Sequence, residues 1–454
     1  VAQLAIPLDF LMVSDHAENM GVFPRLAAGD PSLLKTELGK TIFEKLKNLP
    51  LADEVLTSKT EQEFRTGADA LSDGKALKAS GFVIDKEFKQ HVWHSVVDMA
   101  EKHNDPGSFT TFSGYEYSSG GLHRNVLFAG GAEDTKRIIP FSSNDSKNPE
   151  DLWSFLKRYI ETTGSGVISI PHNSNLSGGK MFASETFDGL SLTREYALTR
   201  SSLEPIVEVT QIKGDSETHP LLSPYDEFAS FEDAWWDVMS SYRNKNSSSV
   251  SEKKIAERSF VRSALKTGLD SQVDIAVNPF QFGLIGSTDS HTGLATANEA
   301  NFWGKMATDQ PNPFRAARSS IFSASGYAAV WATENTRDAI FSAMKRREVY
   351  ATTGPRIILR FFGGWDFEDD DASNPNITEI GYTKGVPMGG ELVMDQQEGV
   401  PHFLIAAMRE PDGANLDRLQ VIKGWRDQQG NVHERVYDVV WSGERAIQDN
   451  GKLP

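Results

Sequence analysis

A chain of 454 residues with 46 Lys and Arg against 63 Asp and Glu carries a net charge of −17, which argues against nucleic acid or an anionic membrane surface as its main partner. Hydrophobic residues make up 39% and aromatic ones 10%, the composition of a globular protein, and no apolar run approaches the length that spans a bilayer. The absence of cysteine removes disulfides, thiolate metal sites and cysteine nucleophiles together, so any metal must be held by His, Asp, Glu or Asn.

The length predicts two domains, or one large barrel with additions. The chain opens at Val1 without Met and closes on "DNGKLP", which reads as an interior loop; a clipped or processed chain is the expectation. "LDFLMV", centred on residues 9–13, is a predicted strand. "PSLLKTELGKTIFEKLKNL" and "FKQHVWHSVVDMAEKH" have helical spacing, and "FTTFSGYEY" is a strand again. "NPEDLWSFLKRYIETTG" is a strongly signalled helix, with Asn148 as cap, Pro149 in the first turn and Gly164 at the exit. "GVISIPH", "PIVEVTQ" and "FGLIGSTDS" follow as short buried strands. Strands alternating with helices predict an α/β domain over residues 1–355 with a mostly parallel sheet or barrel. An insertion at about 215–275, with "FEDAWWDVMSSYR", "NKNSSSVSEKK" and "IAERSFVRSALKTGL", reads as a helical lid or side wall. Residues 356–454 read as a smaller β-rich module, and no internal repeat is present.

Several residues that can carry chemistry sit where a predicted strand ends. Asp15 and His16 follow the first strand, Glu116 closes "FTTFSGYE", and His123 begins "HRNVLF". His172 follows "GVISIP" with Asn173 beside it, and Asp289 and His291 end "FGLIGSTDSH". Side chains at i and i+2 of an extended segment point the same way, so Asp289 and His291 are expected side by side. Each residue also has a plainer reading: a hydrogen-bonded turn histidine, a helix cap for Asp15 or Asp289, a capping role for Glu18 and Asn19, a buried cationic partner for Glu208. Their coincidence at five strand ends favours one site, because such ends converge on a common mouth in parallel α/β folds. Four imidazoles and two carboxylates there can ligate two or three divalent ions about 3.5–4 Å apart. His91, His94 and His103 lie on a predicted helix and are left to solvent or the domain wall, and His219, His402 and His433 are set aside. The acidic run "DFEDDD" (366–371) reads as a solvated loop.

In their order, "SDH", "GYE", "HRNVLF", "PHN" and "GSTDSH" resemble the successive motifs of the polymerase-and-histidinol-phosphatase (PHP) superfamily. The longer stretches "PLDFLMVSDHAENMGVFP", "IPHNSNLSGG" and "RREVYATTGPRI" resemble its bacterial branch called domain of unknown function 3604. The resemblance implies a distorted (β/α)7 barrel with a helical insertion and a smaller C-terminal β-rich module. It assigns metal binding to His16, Glu116, His123, His172, Asp289 and His291, with Glu116 bridging two ions. The family's first motif, His-x-His, has no counterpart here and would lie upstream of Val1. Fewer or more weakly held ions than in the relatives are therefore expected.

Hard divalent ions ringed by imidazole and carboxylate lower the pKa of bound water and hold the oxygens of a tetrahedral ester. The expectation is a metal-dependent hydrolase of phosphate or sulfate esters with metal-bound hydroxide as nucleophile. His16, Glu116 and Asp289 are its expected catalytic residues, and Arg124, Asn173, Lys213 and Arg356 its anion- and substrate-binding ones, with Lys180 a weaker candidate. The ions would be two or three of Mn, Zn or Fe, with Ca or Mg also compatible, and the partner a small anionic ester. No Ser-nucleophile elbow or phosphate-cradling glycine loop competes. The alternatives are a C–N or C–O hydrolase of amidohydrolase type and a non-catalytic binding protein on a decayed barrel. A periplasmic or secreted home is the expected compartment; the oligomeric state is open.

Overall fold

The computed structural model describes residues 4, 6–47, 84–245, 251–291, 322–323, 325–394, 399–448 and 453. The "NKNSSSVSEKK" segment, the end of "GSTDSHTG" and most of "DNGKLP" lie partly or wholly outside these residues.

Strand β1 (Phe10–Met12) pairs in parallel with β2 (Thr110–Ser119). Between them come helices α1 (Val22–Ala27), α2 (Glu37–Lys47) and α3 (Lys86–His103), the last capped by the Asp85 carboxylate on the Phe88 amide. β2 turns straight back into β3 (Leu122–Phe128), which pairs antiparallel with β2 and with β4 (Val167–His172). Strict strand–helix alternation therefore fails here. The cause is local: Gly120 and Gly121 have φ of 55° and 87°, and two such residues between strands make the tight hairpin turn that matches strand twist.

Helix α4 (Pro149–Thr163) precedes β4 and has the predicted ends, with the Asn148 side chain accepting from the Glu150 amide and Gly164 left-handed at φ 76°. Helix α5 (Arg194–Leu203) leads into β5 (Ile206–Gln211), which pairs antiparallel with the short β6 (Gly214–Asp215) and in parallel with β7 (Gly283–Gly286). The insertion carries α6 (Ala234–Lys245), α7 (Glu252–Glu257) and α8 (Val261–Ile275). β8 (Tyr327–Val330), α9 (Arg337–Lys345) and β9 (Val349–Thr352) follow, with β8 and β9 antiparallel.

Among the described residues the protein is thus mixed α/β, with several small sheets and none of them closed into a barrel. β4 lies beside β5, and β7 beside β8 and β9. One apolar cluster draws Phe112, Leu127, Ile168, Ile170, Ile206, Ile285 and Val349 from strands of three sheets, and Ile340 and Met344 of α9 join it. A second cluster, with Trp93, Tyr115, Phe128, Trp153 and Tyr159, packs α3 and α4 on the other face of β2 and β3.

Beyond β9, β10 (Ile358–Gly364) pairs with β11 (Gly385–Pro387) and β12 (His402–Met408), while β13 (Arg418–Arg426) and β14 (Val432–Trp441) form a separate hairpin. That hairpin rests on α8 through ion pairs of Glu434 with Lys266 (2.9 Å) and Arg426 with Asp270 (2.8 Å). Among the described residues no helix is long and apolar enough to cross a membrane.

Candidate metal centre

The β2–β3–β4 register aligns the site. Ser118 stands opposite His123, and His123 stands opposite His172. Glu116 precedes Ser118 by two residues on the same strand and so faces the same side. Because β3 runs backwards, its first residues lie at the same end as the last residues of β2 and β4. His16 reaches this end from the exit of β1, through a parallel bridge to Glu116 and the Glu116 amide donating to the Asp15 carbonyl at 2.8 Å.

A single carboxylate oxygen is the focus. Glu116 Oε1 lies 2.6 Å from His123 Nδ1, 3.2 Å from His172 Nε2 and 3.6 Å from His16 Nδ1, and accepts from the Ser118 hydroxyl at 2.8 Å. Ligand atoms of Glu116, His123 and His172 lie within 4.8 Å of one another, a grouping that could hold a metal ion. The site is nearly dry, with Glu116 and His172 4% and 1% exposed. Burial works against the Glu116 charge, but His172, His123 and His16 outweigh it and hold the carboxyl well below its ordinary range. Burial pushes His123 down, with Glu116 only partly offsetting it. Burial also disfavours charged His172, yet Glu116, Glu208 and Asp289 together raise it.

His172 supplies the test of whether a metal fits. Among the described residues neither of its two buried ring nitrogens finds a hydrogen bond, since the 3.2 Å approach to Glu116 lacks hydrogen-bond geometry. A buried polar atom left in this state requires an explanation, and a cation between imidazole and carboxylate provides one for Nε2, the nitrogen that faces Glu116. Imidazole and carboxylate without thiolate suit Mn, Zn or Fe.

The remaining predicted ligands adjoin this group. The imidazoles follow one another in edge contact, His172 to His123 at 5.5 Å, His123 to His16 at 6.0 Å and His16 to His291 at 5.9 Å between ring centres. His291 Nε2 is 3.8 Å from Asp289 Oδ1, so the pair two apart does stand together, with Asp289 in a left-handed conformation at φ 46°. All six residues expected to bind metal are therefore brought to one place.

The expected substrate-binding residues divide. Lys213 is present, its ammonium 2.7 Å from Asp289 Oδ2. Asn173 is buried and left-handed at φ 55°, and its side-chain oxygen accepts from the Gln211 amide. Arg124 is not in the site. It follows His123 on β3 and so points to the opposite face, where it pairs with Glu204 at 2.5 Å, both side chains 2% or less exposed. Arg356 is not in the site either, because its guanidinium donates to the Ile6 and Pro7 carbonyls at 2.6 Å and anchors the segment before β1. Lys180 is exposed.

Three further acids, for which the sequence also offered the plainer roles of cap or cation partner, lie near the centre. Glu208 is buried and takes the Ser287 hydroxyl instead of a cation; burial raises its carboxyl, with His172 opposing. Glu18 is no helix cap but accepts from the Ser118 and Ser143 amides at 3.1 and 3.0 Å. Asp15 is raised by desolvation, against the pull of His16 and His291. The signal for Glu208 was an acid inside the apolar run "PIVEV". His219 lies in the insertion, its ring tilted against those of Trp236 and Phe260 at 5.4 and 5.6 Å. Trp236 is core packing, 1% exposed.

The family model described as "Protein of unknown function (DUF3604)" matches residues 1–454. Comparison with the curated proteins finds no match, and comparison with the solved structures finds none. By this match over its whole length, the chain belongs to the DUF3604 family.

Proposed function

We propose that this protein is a metal-dependent hydrolase of small anionic esters, phosphate or sulfate, built on a barrel of PHP type. The observation that carries the proposal is the convergence of His16, His123 and His172 on one oxygen of buried Glu116, with both nitrogens of His172 left without a hydrogen bond among the described residues. The apolar cluster fed by strands of three sheets is the support for the barrel.

In this reading Glu116, His123 and His172 hold a divalent ion, with His16, Asp289 and His291 next to it. When bound, the ion acts as a Lewis acid toward the ester and lowers the pKa of water. The chain supplies the rest. Ser118, bonded to Glu116 at 2.8 Å and to His16 at 2.7 Å, fixes the orientation of both, as supporting groups around metal ligands do. Lys213 supplies a positive charge beside the cluster for an anionic substrate. His16 is about half exposed at its side chain, 45%, and marks the open side from which an ester enters.

The test is elemental analysis of protein purified without chelator, beside His172→Ala, followed by a panel of phosphate-ester, sulfate-ester and amide substrates. Transition metal that falls in the variant, with ester turnover that falls with it, is the expected result. Metal-dependent amide cleavage without ester cleavage would replace the ester reading. A chain that takes up no metal sinks the hydrolase.

A further inference from the structure

Lys213 and Asp289 form an ion pair inside the proposed centre, and both partners are held in place. Lys213 follows β5. Its amide donates to the Gln211 side chain at 2.8 Å, and the Gln211 amide group in turn donates to Asn173. Its carbonyl accepts from the Asn175 side chain at 3.3 Å. Gln211, Asn173 and Asn175 are each 3% exposed or less, and the two asparagines belong to the turn directly after His172. The turn that begins at the His172 imidazole thus fixes the backbone from which the ammonium extends.

Asp289 is held from the other side. Ser287 donates its amide to the Thr210 carbonyl at 3.1 Å, accepts from Gly326 at 2.9 Å, and places its hydroxyl on buried Glu208. That clamp stands two residues before Asp289 and its left-handed backbone. The resulting contact, 2.7 Å between Lys213 Nζ and Asp289 Oδ2, has side chains 15% and 8% exposed. An ammonium 2.7 Å from Oδ2 repels a divalent ion brought to the same carboxylate, so the two cations compete for it.

We propose that Lys213 is a built-in competitor for the second cation position: its ammonium occupies the Asp289 side of the centre, and a second divalent ion binds there only by displacing it. The inference rests on the metal-hydrolase reading and makes it more specific. The ion on Glu116, His123 and His172 is the strongly held one, and a second ion, using Asp289 and His291, is weak and exchangeable. Displaced from Asp289, the ammonium is free to meet the anionic ester, so that loading of the second ion and release of the substrate-binding charge are one event.

The test is titration of the metal-free full chain with Mn²⁺ alone, read by calorimetry and by electron paramagnetic resonance, for the wild type, Lys213→Met, Lys213→Arg and Asp289→Asn. The wild type is expected to show one tight and one weaker ion. In Lys213→Met the second ion should tighten about tenfold or more, the change that matches loss of one hydrogen bond to a charged group. Lys213→Arg keeps the charge and should keep the second ion weak, while Asp289→Asn should lose it and spare the first. An unchanged or weakened second ion in a folded Lys213→Met protein overturns the inference while leaving the hydrolase reading in place. No ion bound by the wild type overturns both.

Discussion

Glu116 Oε1 and His172 Nε2 stand 3.2 Å apart across one intervening strand, and among the described residues neither nitrogen of His172 has a hydrogen bond. The pairing costs the apo protein a desolvated imidazole, and a bound ion repays it. Mn²⁺ or Zn²⁺ should therefore raise the melting temperature, by linkage amounting to about 2.7 kcal/mol at a free-metal concentration of a hundred times Kd. Glu116→Gln and His172→Ala should abolish the rise. Thermal unfolding with and without metal checks this; an equal rise in all the proteins would place the ion elsewhere.

Arg124 and Glu204 are a structural pair, buried behind the sheet, with the Trp153 indole also donating to Glu204 at 2.9 Å. Removing Glu204 strands Arg124 and takes the carboxylate from buried Arg200, 3.2 Å away, as well. Glu204→Ala should destabilise by about 3–5 kcal/mol, read by urea unfolding. Its folded fraction should bind metal as the wild type does. Loss of metal binding without loss of stability would contradict this placement of Arg124.

Glu434 fastens the β13–β14 hairpin to the insertion, bonding Ser223 and, at 2.9 Å, Lys266. Burial pushes its carboxyl up, but those two partners and Arg262 outweigh it and hold it below its ordinary 4.5. A depressed carboxyl stabilises fully above its unfolded value and loses that contribution as pH falls through its folded value. Amide protection in β13 and β14 should accordingly fall as the solution is acidified below that range. Glu434→Gln should show the same fall at neutral pH, with a cost of about 2 kcal/mol. Protection in the wild type that is indifferent to acid would refute the coupling.

Gly286 ends β7 where β7 meets β8 and β9. An added Cβ would lie 2.7 Å from the Tyr327 carbonyl and 2.9 Å from that of Thr352, backbone atoms with no room to yield. Gly286→Ala should cost about 1–3 kcal/mol and displace the Ser287–Asp289 segment. Melting temperature measures the first effect and second-ion affinity the second. A variant as stable as the wild type would show that the three strands are less tightly packed.

Much of the site was legible in the chain. The helix over 149–163 has both of its predicted caps, β1, β4, β5 and β7 fall inside predicted strands, and β2 runs two residues past the end of its own. The six residues expected to bind metal meet because each lies next to the end of a strand, and strand ends at one edge of a sheet are neighbours whatever the distance along the chain. Even the hairpin that breaks the alternation was written in Gly120-Gly121, and Arg124 could have been placed behind the sheet from its position after His123, since successive strand side chains face opposite ways.

What the amino-acid sequence determined by itself is local: which segments are strands, which residues stand at their ends, and that oxygen and imidazole are the available ligands in a chain without cysteine. Tertiary structure alone decided which of the charged groups face one another. Lys213 and Arg356 look alike as cations beside a motif, yet one reaches Asp289 and the other holds the carbonyls before β1. Glu208 and Glu116 look alike as acids in apolar strands, and each receives a serine hydroxyl, yet three imidazoles converge on Glu116 alone of the two. The reason is physical: strand identity follows from short-range pattern, but the partner of a buried charge follows from the register between strands distant in the chain, and no local pattern encodes that register.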